Sequence, residues 1–330
     1  MTRFVPLLLL VSTLLQAQPR TEEVPEAGYT SEQLVNRMSD ATKNLNYAGV
    51  FVFTRGSEMA VMRMLHKSDA EGEREKIVSL TGPAREIIRN NQTVTCIFPD
   101  TQQVMVERSR AQSFPAKLVE PIETIAEYYQ FTTRGSERIA DRDTWIVSVA
   151  PKDNFRYGYQ LWIDKATFLL LKSELRDEAG KPLEMVMFTE LELPESIGDE
   201  LFAPSITGDE YTWYQYTDGT QTQKNSSNSN EEGQWKLTWM PDGFKLSNHN
   251  DTTTQLEGDF LKHMIYTDGV SMVSVFIEKL GTENSSNTGS LKIGGVNVYA
   301  RTTGDYQVTA VGEVPQMTVM RMVDSIMAGQ

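Results

Sequence analysis

Tyr157-Gly158-Tyr159-Gln160-Leu161-Trp162-Ile163-Asp164, followed by Phe168-Leu169-Leu170-Leu171-Lys172-Ser173, reads as two strands joined by the polar turn Asp164-Lys165-Ala166-Thr167. Side chains alternate along a strand with period two. Tyr157, Tyr159, Leu161 and Ile163 therefore share one face, and Trp162 points the other way. In the second strand Phe168 and Leu170 take one face, Leu169 and Leu171 the other. A sheet with one solvated side is apolar on one face only. This hairpin is apolar on both, so each side needs a cover: a helix, a second sheet or a bound apolar molecule.

Outward from the hairpin the chain continues as short β-like runs. On the N-terminal side these are 50–53, 59–65, 76–80, 86–89, 94–98 and 104–107, punctuated by Arg55-Gly56-Ser57, Gly82-Pro83, Asn90-Asn91 and Pro99-Asp100. Regular strands with tight turns predict an antiparallel meander. It opens with a helix that has a Thr30/Gln33 capping box and Leu34, Met38, Ala41 and Leu45 at helical spacing. A second helix is predicted after Pro121, with Ile122, Ile125, Ala126 and Tyr129 as its stripe. Strands return at 138–140, 144–149 and 185–193.

Residues 217–233 contain no apolar side chain, and such a stretch cannot repay the entropy of ordering. It is read as a flexible linker between a first domain, 28–216, and a second, 234–330. In the second, 263–267 and 270–278 flank Asp268-Gly269, a hairpin pattern. Strands at 296–301 and 306–311 follow. A closing helix starts near Pro315, with Met320, Val323 and Met327 as its stripe. The fold class is α+β: a long curved antiparallel sheet with helices against one face, then a small α+β domain.

Residues 1–17 have a short basic start, an apolar middle and Ala17 at the end, the form of a cleaved secretory signal peptide. The apolar run is short for a bilayer span. The formal net charge of −14 disfavours nucleic acid and anionic membrane surfaces as partners. With one cysteine, Cys96, no intramolecular disulfide forms. His66, His249 and His263 lack metal-ligand spacing, and neither a phosphate-cradling glycine loop nor a nucleophile elbow occurs. Cys96 reads as a structural thiol within an apolar strand, and Asp141 and Asp143 as turn residues. The expectation is a binding protein, not an enzyme, without cofactor or metal.

Several ordered motifs carry a family resemblance. In the first domain they are Leu45-Asn46-Tyr47 before Gly49 and Phe51, Met62-Arg63 with His66, Val78-Ser79-Leu80-Thr81-Gly82-Pro83-Ala84-Arg85-Glu86, Thr93-Val94-Thr95-Cys96 with Pro99-Asp100, and the hairpin. In the second they are Pro241-Asp242-Gly243-Phe244, Tyr266-Thr267-Asp268-Gly269, Ser274-Val275-Phe276-Ile277-Glu278 and Val311-Gly312-Glu313-Val314-Pro315. The chain resembles the periplasmic sigma-E regulator family RseB/MucB of Gram-negative bacteria.

The resemblance implies a first domain like the LolA/LolB lipoprotein carriers, a half-barrel sheet with helices on its concave face over an apolar cavity. It implies a periplasmic negative regulator of the envelope stress response. Such a regulator binds the periplasmic domain of a membrane-anchored anti-sigma factor (RseA/MucA type) and shields it from site-1 protease. Lipid or lipopolysaccharide signals release it. A periplasmic lipid or lipoprotein carrier is the alternative, and a homo-oligomer stays open. Methionines and aromatic residues on the strands read first as ordinary core filling, and as adaptable side chains they are also suited to an acyl-chain lining. Phe51, Phe53, Met62, Met64, Tyr129, Trp162 and Met187 are the cavity candidates. Tyr266, Asp268, Phe276 and Arg301 are the partner-contact candidates, and no motif assigns them individually.

Overall fold

The computed structural model describes residues 28–108, 120–206, 211–216, 235–247, 252–256, 259–280 and 288–328. The leader and the linker expected at 217–233 lie outside these. The first part contains α1 (Ser31–Asn44), β1 (Tyr47–Arg55), β2 (Glu58–Asp69), β3 (Gly72–Ser79), β4 (Glu86–Asn90), β5 (Thr93–Phe98) and β6 (Gln103–Arg108). It continues with α2 (Ile122–Ile125), β7 (Tyr129–Ile139), β8 (Arg142–Pro151), β9 (Gly158–Asp164), β10 (Leu170–Arg176), β11 (Pro182–Glu192) and β12 (Thr212–Tyr216). These strands form one 12-stranded sheet in the order β12-β6-β5-β4-β3-β2-β1-β11-β10-β9-β8-β7. All pairings are antiparallel except β12 with β6.

The sheet is curved, and α1 shows by how much. One helix touches β2 and also β7 and β8, and β11 touches β7. β2 and β7 are six inter-strand steps apart. Laid flat, that is about 29 Å, more than twice the width of a helix. The sheet therefore wraps around α1. The helix starts at the expected capping box, Gln33 N–H donating to Thr30 Oγ1 and Thr30 N–H to Gln33 Oε1. It buries Leu34, Val35 and Met38 against Val147, Leu161 and Ile163.

The hairpin resolves as its parity required. Tyr157, Tyr159, Leu161, Ile163, Phe168 and Leu170 join the core under α1. Trp162, Leu169 and Leu171 join a different cluster. On the outer face Trp162 is sealed by its neighbours: Nε1 donates to Glu137 Oε2 at 2.5 Å, and Lys172 Nζ stands 3.9 Å over the ring. Thus a helix covers one side, and the sheet's own side chains close over the other.

The second part contains β13 (Trp235–Leu237), β14 (Lys245–Leu246), β15 (Thr252–Leu256), β16 (Asp259–Thr267), β17 (Met272–Lys279) and β18 (Gly289–Ile293). It ends with β19 (Val296–Thr303), β20 (Tyr306–Gly312), α3 (Gln316–Asp324) and β21 (Ile326–Ala328). A 7-stranded sheet runs β14-β16-β17-β20-β19-β18, with β15 also on β16, and β13 pairs with β21. α3 begins just after Pro315 and buries Val319, Met322 and Val323 on Val273, Val275, Ile277 and Val308.

Three helical expectations are corrected. Leu45 follows the first helix in extended backbone and packs in the cluster that contains Phe51 and Phe53, not in the core under α1. Tyr129 is not on the second helix. α2 stops at Ile125, and the β-favouring run Tyr128-Tyr129-Gln130-Phe131-Thr132-Thr133 enters the sheet, Tyr129 opposite Pro151. Met327 is not on the closing helix either. It lies 58% exposed in β21, and the helix buries its 319/322/323 side.

Candidate functional site

Two places in the fold are candidate sites: the concave face of the large sheet away from α1, and the seam between the two parts.

Directly paired residues point to the same face. Phe51 pairs with Met62 and Phe188, and Phe53 with Val186, which pairs with Ser173, which pairs with Leu161. Phe51, Phe53, Met62 and Met64 therefore share the concave face with the core under α1. Beyond them one cross-strand row reads Met64, Ile77, Ile87, Cys96 and Met105 on β2 to β6. Every member of that row is half-buried. Phe51 packs edge-on against Phe188 at 5.9 Å, and Tyr47 stacks on buried His66 at 4.5 Å. The Nδ1–H of His66 donates to the Leu45 carbonyl, and its other ring nitrogen lies 3.1 Å from Glu73 Oε1. No residue of α1 or α2 belongs to this cluster among the described residues. The result is an adaptable apolar stripe with a polar end at His66, Glu73 and Glu75.

The other three cavity candidates are placed elsewhere. Trp162 pairs with Lys172, Lys172 with Met187, and Met187 with Val52. That row is on the convex face, so Trp162 and Met187 do not line the same surface as Phe51, although all three belong to one packing cluster. Tyr129 faces the helix side, and its hydroxyl donates to Asp268 Oδ2 at 3.0 Å. Burial first, and then the Asp268 charge, push that hydroxyl well above the usual tyrosine range.

Asp268 belongs to the second part, and it organises the seam. Its Oδ1 accepts the backbone amides of Val270 and Ser271, which shapes the loop between β16 and β17. Its Oδ2 accepts from Tyr129 and from Arg156 Nη1, the latter at 2.6 Å. Arg156 and Asp268 side chains are both fully buried. Arg156 Nη2 donates to the Asp242 carbonyl, Nε to Asp153, and the rings of Tyr128, Tyr129 and Phe244 surround the guanidinium at 5.1–5.6 Å. Tyr157 Oη accepts from Asn297, Thr318 Oγ1 donates to the Phe155 carbonyl, and Arg321 stacks on Trp239 and Phe155.

The four partner-contact candidates share no single surface. Tyr266 is buried in the core of the second sheet, and Asp268 is in the seam. Phe276 is half-buried, stacked on His263 at 4.2 Å on the face away from α3. Arg301 donates to Asp324 at the end of α3 at 2.9 Å. Sequence reasoning missed Arg156 and Asn297. Among the described residues no group of three or more side chains is arranged to hold a metal, and no helix is long and apolar enough to cross a membrane.

Both parts match family models. Residues 30–206 match the MucB/RseB N-terminal domain and 229–327 the MucB/RseB C-terminal domain.

The chain belongs to the MucB/RseB family.

Relatives are similar over nearly the whole length. Sigma factor AlgU regulatory protein MucB of Pseudomonas aeruginosa is 28% identical, covering 98% of this chain and 97% of its own. Sigma-E factor regulatory protein RseB of Haemophilus influenzae is 26% identical, covering 96% of each. The structure of the Pseudomonas aeruginosa MucA/MucB complex superposes with a TM-score of 0.71 at 25% identity over 91% of this chain and 99% of that one. A crystal structure of MucB in complex with MucA(peri) gives 0.68 at 25% identity over 91% and 100%.

Proposed function

We propose that this chain is a periplasmic negative regulator of a sigma-E-type stress response. It binds the periplasmic segment of a membrane-anchored anti-sigma factor and shields it from site-1 proteolysis. An apolar, lipid-type signal on the concave face releases it. The observation that carries this reading is the match of both domains, in order, to a family whose Pseudomonas member has been solved with MucA. The apolar stripe supports the signal: Phe51, Phe53, Met62 and Met64 line one face with polar groups at its end. Phe276 and Arg301, which keep exposure, remain the partner-contact candidates. The leader-like segment supports export.

The test is protection. At saturating concentration the chain is expected to slow cleavage of the anti-sigma segment by its protease at least tenfold. Unchanged cleavage sinks the reading. The apolar stripe also favours a lipid or lipoprotein carrier. A carrier extracts acylated protein from membranes stoichiometrically and leaves cleavage unaffected.

A further inference from the structure

One side chain touches the apolar stripe and the second domain at once. Arg55 closes β1 with its guanidinium 5.2 Å from the Phe53 ring centroid. The same group makes a two-pronged contact to Glu184 on β11, Nε to Oε1 at 2.9 Å and Nη2 to Oε2 at 3.1 Å. Nη2 also lies 3.8 Å from Glu313, which follows β20 in the second domain. The aliphatic stem meets the Gly294–Gly295 turn between β18 and β19. A Cβ on Gly294 would stand 2.3 Å from Arg55 Cγ, and one on Gly295 2.4 Å from Leu175. Gly295 N–H donates to Glu184 Oε1.

We propose that Arg55 couples occupancy of the apolar face at Phe53 to the docking of the second domain. This rests on the reading above for the identity of the partner and signal. A chain inserted against Phe51, Phe53 and Met62 displaces the ring under the guanidinium. Arg55 cannot follow within its present space, because its stem is already against Gly294. Moving the arginine moves the turn, and losing Glu313 loosens the second domain. Glu313 is a readily released partner, because its contact with Arg55 is 3.8 Å long and its side chain is partly exposed. Coupling through such a link is reciprocal, so docking of the second domain also tightens the Phe53 environment.

The test measures a ratio. The affinity of the full chain for a peptide of the cognate anti-sigma periplasmic segment is measured with and without palmitoyl lysophosphatidylglycerol below micelle-forming concentration. The wild type is expected to lose affinity by about 5- to 150-fold with the lipid. In Arg55→Gln the ratio is expected to fall below about 2. The ratio is taken at the plateau of a lipid titration for each variant, so that a shift in lipid affinity alone does not imitate a loss of coupling. Glu313→Gln, which leaves the Arg55–Glu184 pair in place, is expected to lower the ratio as well and serves if the arginine variant fails to fold. A wild-type ratio retained in both variants overturns the proposal, as does a ratio near 1 in the wild type. If the wild type binds no peptide, the functional reading fails by itself. The link is then read from the change in small-angle scattering radius on adding the lipid, expected in the wild type and absent in Arg55→Gln; a change that persists in the variant overturns it.

Discussion

Leu161 and Trp162 are adjacent, and both are almost fully buried, at 0% and 2% exposure, on opposite faces of one sheet. Their costs of truncation differ because their covers differ. Leu161 lies under α1 in a rigid core, so Leu161→Ala is expected to cost about 2–5 kcal/mol, read by urea denaturation. Trp162→Phe keeps most of the apolar volume and leaves Glu137 free to be hydrated, so it is expected to cost less. The reverse order would show that the outer cover, not α1, carries the hairpin. Asp164 ends the same strand. Desolvation pushes its carboxyl up, but donation from Arg142 and Thr167 outweighs this and holds it below the usual range. A depressed carboxylate stabilises above its unfolded pKa and loses that contribution as pH falls through the folded value. Stability is therefore expected to fall below about pH 4, and Asp164→Asn to flatten that fall, measured as unfolding free energy against pH.

At the level of elements, α1 is anchored by a cap whose bonds are exposed, so Thr30→Ala is expected to cost about 1 kcal/mol, read from the thermal midpoint. An unchanged midpoint would mean that burial of Leu34, Val35 and Met38 alone holds the helix. This cap was legible in sequence, as were the meander and both faces of the hairpin, because period-two patterns and local hydrogen bonds act within a few residues. The failures lie where two periods compete. Ile122, Ile125 and Tyr129 fit a helical stripe, yet the aromatic and β-branched residues around Tyr129 gain a sheet partner 22 residues later. Half of the candidate site was likewise visible. Strand parity puts Phe51, Phe53, Met62 and Met64 on one face, as their pairings do, but whether residues on distant strands such as Trp162 and Met187 join that face depends on bulges at Leu170/Lys172 and Val50/Phe51. Arg156 was invisible because its fully buried counter-ion, Asp268, is 112 residues away, while the local one, Asp153, reads as an ordinary i,i+3 pair.

Across the whole molecule the seam decides how the two parts sit, and its centre is a buried ion pair. Desolvating both charges costs about as much as their attraction returns, so the pair is expected to contribute little net stability and to act by fixing one register of docking. Breaking it by one partner is another matter. Asp268→Asn keeps an oxygen for the Val270 and Ser271 amides but removes the charge facing Arg156, which retains only Asp153 as a counter-ion. The expected cost is at or below the lower end of the roughly 3–5 kcal/mol for a one-sided break, since Asp153 compensates in part. Because the loss falls on docking and not on either core, thermal unfolding is expected to split into two transitions. Removing the arginine as well, in Arg156→Met with Asp268→Asn, takes away the uncompensated charge and is expected to restore part of the loss. If Asp268→Asn still unfolds in one transition at the wild-type midpoint, the two parts are held by the surrounding contacts, Asn297 to Tyr157 and Thr318 to Phe155, and the ion pair does not set their register.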